Sequence, residues 1–406
     1  MQYTENPTQP AIEQSETQEM TSLEDQFQTR RVATIAVGHA IHDTFPAFLA
    51  PMLPVIITNL SITRAEAGLL ATFLSAPSLL QPFIGHLADR KNLRFLVILT
   101  PTITAALMSL LGLSESYLTT ALMLIAVGLS SAGLHAVGPV IAGKLAGKKL
   151  GRAMSFWMVG GEFGRTLGPI LIVTTIRFLS PRGTGWLMLA GFLASLLLYF
   201  RLRNLELPAT HTQTTLPMRS LVRSMRPVML PLMVIIGLRA FLFSATSTFL
   251  PTMLTDEGAN LWFAGAALSV MEAAGVLGAM LGGSISDRIG RKPVLLICFT
   301  SAPLLMIAFL NSSGAWQFGL LLLYGFAMLS VTPVFMALVQ ESYPENRALA
   351  NGLYMAMSFA VSSLTVILIG FIGDHFGLRQ AFLLSAGVML LGLPFLLRLP
   401  HPRTIG

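Results

Sequence analysis

The chain has 406 residues, of which 53% are hydrophobic and 11% charged, with a mean hydropathy of +0.70. Soluble domains carry about 25% charged residues, so a water-exposed globule of this length is excluded, its polar surface being too scarce to cover a core. The formal charge of +7 does not signal nucleic acid, because the basic residues form no single patch and recur in short clusters between apolar blocks, the pattern that sets membrane topology.

Residues 1–30 are rich in Gln, Thr and Glu, with six acids before Arg30. They lack the basic start and short apolar run of a secretory signal, and their composition predicts a disordered tail. Beyond them come apolar blocks such as Phe95–Leu113, Tyr117–Ile141 and Trp262–Ile285, each near the roughly 20 residues that span a bilayer as helix. Punctuation by charge, Pro and Gly predicts twelve helices, near 32–57, 65–88, 94–113, 117–143, 151–177, 184–202, 228–254, 262–286, 292–311, 315–340, 348–373 and 379–399. The longest polar interruption after the tail, 203–227, is taken as a linker between a bundle over 31–202 and a bundle over 228–400. The expected fold is an all-α polytopic membrane protein.

With the N-terminus inside, 20 of the 26 Lys and Arg fall in cytoplasmic segments. The outer loops hold four, Arg64, Arg177, Arg182 and Arg379, while Arg165 and Arg239 lie inside helices. The positive-inside rule then places both termini in the cytoplasm. Cys298 is the single cysteine, so neither a disulfide nor cysteine redox chemistry is expected.

After the second helix runs Gly85-His86-Leu87-Ala88-Asp89-Arg90-Lys91, and after the eighth Gly283-Ser284-Ile285-Ser286-Asp287-Arg288-Ile289-Gly290-Arg291-Lys292, at a constant offset of 198. Such a duplication fits two parallel six-helix repeats. Both stretches resemble the cytoplasmic loop signature of the major facilitator superfamily, and the resemblance covers essentially residues 32–400; the first copy has Asn92 where the signature has its later glycine. It implies two pseudo-symmetric six-helix bundles, with Gly85, Asp89, Arg90, Gly283, Asp287 and Arg288 as gating residues. Glycine allows close helix approach, and a carboxylate at the mouth can face basic groups or a helix N-terminus across the gap. In the family that contact is held to latch the outward-open state; the bland alternative is that these clusters only set topology.

Residues 132–171, with His135, Gly160-Gly161-Glu162-Phe163-Gly164 and Gly168-Pro169, are similar to the fosmidomycin-resistance branch of drug exporters, as is His39-x-x-x-Asp43. The chain departs from that branch at Ala136-Val137 and Glu162, positions expected to line the pore. Gly164, Gly168 and Pro169 also resemble part of the glycine-proline signature of drug/proton antiporters. Mechanically, the two glycines open one face for packing and the proline can kink the helix; a gate and plain packing both fit.

Asp43, Glu162 and Glu272 are the acids expected in mid-helix, joined by Arg165, Arg239, His39, His42 and His135. A charge at the bilayer centre costs at least about 2.5–3.5 kcal/mol, so such residues usually face a cavity or a partner. Glu162 and Arg165, three apart, share a helical face, as a local ion pair or a pore-facing pair. Asp43 and Arg239 sit at similar depth on the first helices of the two halves and are expected to meet across the cavity, unless each is satisfied within its own half. Asp43, Glu162, Glu272 and His39 are the expected proton-coupling groups, with Asp43 foremost. Arg165, Arg239, His42 and His135 are the expected substrate-facing groups.

No Walker-type loop is present, so ATP is not expected to drive transport, and no paired His or Cys motif offers a metal site. No cofactor and no enzymatic activity are expected. The composite expectation is a monomeric secondary transporter of a bacterial inner membrane, exporting a small drug-like compound in exchange for protons. The alternative is proton-linked uptake of an organic anion.

Overall fold

A backbone in hydrocarbon finds no water to bond, so each apolar block must close its own hydrogen bonds as helix. The computed structural model describes residues 27–147, 149–205, 218–343 and 347–398, with side chains for all of these except 86, 88–90, 150–151, 218–224, 347–349 and 351. Among them, eleven continuous apolar segments are long enough to cross a bilayer. One, Arg152–Leu202, has 51 residues, more than twice the ~20 that one crossing uses. It breaks at Ser180, where φ is 64° and ψ 170°, just before Pro181, whose ring disfavours a helical conformation in the preceding residue.

Twelve crossings result. They are α1 (Thr29–Leu60), α2 (Arg64–Gly85), α3 (Arg94–Leu113), α4 (Tyr117–Lys144), α5 (Leu150–Gly183), α6 (Met188–Leu202), α7 (Met225–Asp256), α8 (Leu261–Ile289), α9 (Arg291–Leu310), α10 (Ala315–Ser342), α11 (Arg347–Phe376) and α12 (Leu378–Leu397). They form two pseudo-symmetric bundles, α1–α6 and α7–α12. Proline, lacking an N–H, bends two of them: α1 passes through a 3-10 turn at Pro46–Phe48, and α2 through Ala76–Leu80, which contains Pro77. The stretch expected as a linker is partly helical, since the helix containing α7 already begins at Met218. Hydropathy marks where a helix leaves the apolar layer, and its hydrogen bonds continue into the polar region. Residues 206–217 of that linker and residues 1–26 of the expected tail lie outside the described ones.

Gly164 and Gly168 explain how α5 seats on α1. A Cβ on Gly164 would stand 2.2 Å from the Ala40 carbonyl oxygen, and one on Gly168 2.4 Å from that of Thr44. Backbone meets backbone there, so the small-x-x-x-small pair packs the interior of one bundle. Gly164→Ala is expected to lower the thermal unfolding temperature of the purified protein, since overpacking costs about 1–3 kcal/mol; an unchanged melting curve would show that α5 is free to shift. Pro169 lies inside α5 without ending it, and the next amide, that of Ile170, donates to Ser269 Oγ of α8 at 3.0 Å.

The two bundles meet at the face remote from the chain termini. There Asp374 at the end of α11 accepts the backbone N–H groups of Arg64 (2.8 Å) and Ala65 (2.9 Å) in the first turn of α2, where the helix dipole favours an anion. The Arg64 guanidinium reaches Asp256 of α7 at 2.6 Å. Deeper in, Thr72 of α2 donates to the Ser363 carbonyl of α11 at 2.9 Å. The terminal face is different. Among the described residues, a Cβ on Gly85 would meet nothing within 4 Å, and one on Gly283 only Pro333 of its own bundle at 4.0 Å. The close approach expected at these glycines is absent, because the bundles are closed at the opposite face. Asp287 pairs with Arg291 one turn on, at 2.6 Å, and Arg291 with Glu341 at 2.7 Å, all within the second bundle. Arg288 stands beside them, exposed; the side chains of Asp89 and Arg90 lie outside the described ones.

Candidate functional site

In α1, His39 and Asp43 are four residues apart and so share a face. Asp43 Oδ2 lies 3.2 Å from His39 Nε2, and Oδ1 lies 2.8 Å from His42 Nδ1. From α4, His135 brings its Nε2 to 3.5 Å from Asp43 Oδ2 and to 3.2 Å from His39 Nε2. From α5, the Trp157 carbonyl accepts from His39 Nδ1 at 2.9 Å, and the Trp157 ring stacks on the His39 ring with centroids 3.7 Å apart. The Ser131 carbonyl, one turn back in α4, accepts from His135 Nδ1 at 2.9 Å. Gly161 of α5 completes the pocket wall, for a Cβ there would stand 2.8 Å from His39 Nε2 and 3.1 Å from Asp43 Oδ2.

Sequence reasoning named all four titratable members of this cluster but not its shape. His42, expected to face substrate, is fully buried against Asp43 and its Nε2 has no partner among the described residues; one residue along a helix is a turn of about 100°, which carries it off the face that Asp43 shares with His39. Trp157, Ser131 and Gly161 were missed. Two of these contribute a backbone carbonyl and the third an absence of side chain, which no residue-type pattern announces.

A second group lies between the bundles. Glu162 and Arg165 of α5 form a direct ion pair. Arg165 is 45% exposed by side chain although it stands mid-span. Glu272 of α8, in the other bundle, lies close enough to feel the charges of Arg165 and Glu162.

Arg239 of α7 forms the third group. It donates to the Met328 carbonyl at 2.9 Å and to Thr332 Oγ1 at 3.2 Å, and its guanidinium carbon lies 4.9 Å from the centre of the Phe243 ring. Its Nε is buried without a partner, and among the described residues no carboxylate pairs with it. The expected meeting of Asp43 with Arg239 is not found. Equal depth along two helices does not fix the direction in which either side chain points: Asp43 is partnered by histidines of its own bundle, and Arg239 contacts only uncharged groups of its own among the described residues.

The family model described as Major Facilitator Superfamily matches residues 35–345 and again 263–406. The chain belongs to the Major Facilitator Superfamily. Like the other transporters of that superfamily it is a carrier of small molecules across a membrane and not an enzyme. It is 25% identical over 371 residues to the fosmidomycin resistance protein of Escherichia coli, covering 89% of this chain and 91% of that protein. It is 26% identical over 363 residues to the multidrug resistance protein MdtG of Salmonella typhimurium, covering 85% and 89%. A crystal structure of a variant of the nucleoside transporter NupG superposes with a TM-score of 0.75 at 16% identity, covering 91% of this chain and all of that one; at this identity the likeness is one of fold.

Proposed function

We propose that this facilitator is a proton-coupled exporter of a small organic compound carrying an anionic group, working as a monomer in a bacterial inner membrane with both termini cytoplasmic. The observation that carries the anionic part is Arg239. A guanidinium cannot shed its proton, and a buried charge without a counter-ion is costly. Among the described residues Arg239 donates to a carbonyl and a hydroxyl and packs on a ring, with no carboxylate to pair with it, so the balancing charge comes from cargo. The names of the relatives, which speak of fosmidomycin and of multiple drugs, support a drug-like compound, and a phosphonate or carboxylate is the chemistry a guanidinium fork holds best.

Transport follows as rocking of the two bundles about this region. With the termini in the cytoplasm, the closed remote face is periplasmic and the conformation is inward-open. The Asp89 and Asp287 loops are then the latch of the opposite state. For the coupling acid we assign Glu272 in preference to Asp43. A carboxyl in a dry site holds its proton more tightly than one beside a guanidinium. Rocking alters the distance between Glu272 and Arg165, which belong to different bundles, whereas Asp43 and its three imidazoles all ride on α1 and α4 of the same one.

The test uses binding of a panel of phosphonates and carboxylates, fosmidomycin included, matched with neutral analogues. Arg239→Gln is expected to weaken the anionic ligands by tenfold or more, consistent with the roughly 1.5–3 kcal/mol of a charged hydrogen bond, and to spare the neutral ones. Equal loss of both would make Arg239 a structural residue and remove the anionic cargo from the account. The same clamp supports a second reading, proton-linked uptake of an organic anion. Counterflow in vesicles of known orientation separates the two directions.

A further inference from the structure

The hydrogen-bond partners of His39 and His135 fix which ring nitrogen carries the proton. A backbone carbonyl can only accept, so the Nδ1 atoms facing the Trp157 and Ser131 carbonyls at 2.9 Å must both be protonated. In the neutral imidazole the other nitrogen is then a bare acceptor. The two Nε2 lone pairs and Asp43 Oδ2 therefore face one another across 3.2, 3.2 and 3.5 Å. Three acceptors that close together, in a site where Asp43 is 11% and His39 5% exposed by side chain, repel one another unless something positive sits among them. A single proton can bridge one pair and leaves the third atom unsatisfied.

A metal ion answers all three. A tetrahedral ion with ligands at about 2.0–2.1 Å holds them about 3.3 Å apart, which is the spacing found here. Metal-bound histidines characteristically donate their other N–H to a carbonyl or carboxylate, which sets ring orientation and tautomer, and both rings do so. Two imidazoles and one carboxylate are the donor set of many zinc sites. Gly161 lets α5 lie over the cluster without placing a methyl group against the ligand atoms. His135, 30% exposed by side chain, gives the entry path.

We propose that His39 Nε2, His135 Nε2 and Asp43 Oδ2 form a three-ligand site for a zinc-class divalent cation, with the fourth position left to water. His39 and Asp43 are one turn apart on α1, but His135 joins from α4, 96 residues from His39, so no contiguous metal-binding motif marks the site. The site is independent of the coupling acid assigned above, which lies in the other bundle, so loss of either proposal leaves the other standing.

The test is a Co2+ titration of the tag-free full chain in lipid nanodiscs. One Co2+ per chain, with the intense visible bands of a four-coordinate ion and their loss on adding one equivalent of Zn2+, is the expected result. His135→Ala is expected to abolish those bands while the variant still unfolds cooperatively on heating. Gly161→Ala, which sets a methyl group against His39 and Asp43, is expected to weaken Co2+ by about tenfold. In the unmodified protein, Zn2+ is expected to protect His135 from diethyl pyrocarbonate, which needs no variant to fold. Pale six-coordinate bands only, four-coordinate bands that persist in His135→Ala, or unprotected His135 would each overturn the site and leave the gap to protons.

Discussion

Replacing Asp374 with alanine is expected to shift the resting population toward states open at the remote face by about a hundredfold. The carboxylate accepts two backbone N–H groups from the start of α2 while its own helix belongs to the other bundle. Hydrogen bonds to a charged group contribute about 1.5–3 kcal/mol each. Allowing for the partial exposure of Asp374, their joint loss is on the order of 3 kcal/mol, and every 1.4 kcal/mol is tenfold in an equilibrium. The readout is the labelling rate of Thr72→Cys by an impermeant maleimide in a Cys298→Ser background, since Thr72 sits inside the closure against Ser363. Arg64→Gln removes the pair with Asp256 but leaves both amides bonded to Asp374, so a smaller rise is expected there. Labelling that stays unchanged in Asp374→Ala would mean that the apolar contacts alone keep this face shut.

The second large effect is expected at Glu272. A coupling acid must change its proton affinity between the two access states, so its electrostatic surroundings must change when the bundles rock. Glu272 meets that condition because Arg165, whose charge acts on it, is carried by α5 of the other bundle. Glu162 does not, being held by Arg165 of its own helix in every state. Glu272→Gln is thus expected to abolish pH-driven accumulation of an anionic cargo in proteoliposomes while preserving one-for-one exchange, which moves no net proton. Loss of exchange together with accumulation would point to a structural residue. Accumulation surviving in Glu272→Gln would remove it as the coupling acid.

The sequence was most legible where physics is local. Block length and the charge count at loops give twelve crossings, because a bilayer demands about 20 apolar residues per helix; even the break at Ser180 is marked by the Pro after it. The cluster was half legible. The spacing of His39 and Asp43 declares one face of α1, but His135 joins from another helix, at a rotation no periodicity of a twenty-residue apolar block reveals. Depth matching failed for Asp43 and Arg239 for the same reason, since residue counts from the membrane edge give height and not azimuth. Asp374 went unnoticed because its partners are main-chain amides, which every residue type possesses alike.

Alternation between the two faces is the central claim, and distances across both faces in one preparation test it most directly. Spin labels at Asn59 and Asn311 report the remote face, and labels at Asn92 and Ile289 the terminal face, all in the Cys298→Ser background. When pH or an anionic ligand shifts the population, the remote distance is expected to lengthen as the terminal distance shortens, with matching midpoints. Two distances that lengthen together, or that move with separate midpoints, would contradict rocking of two bundles about a shared site.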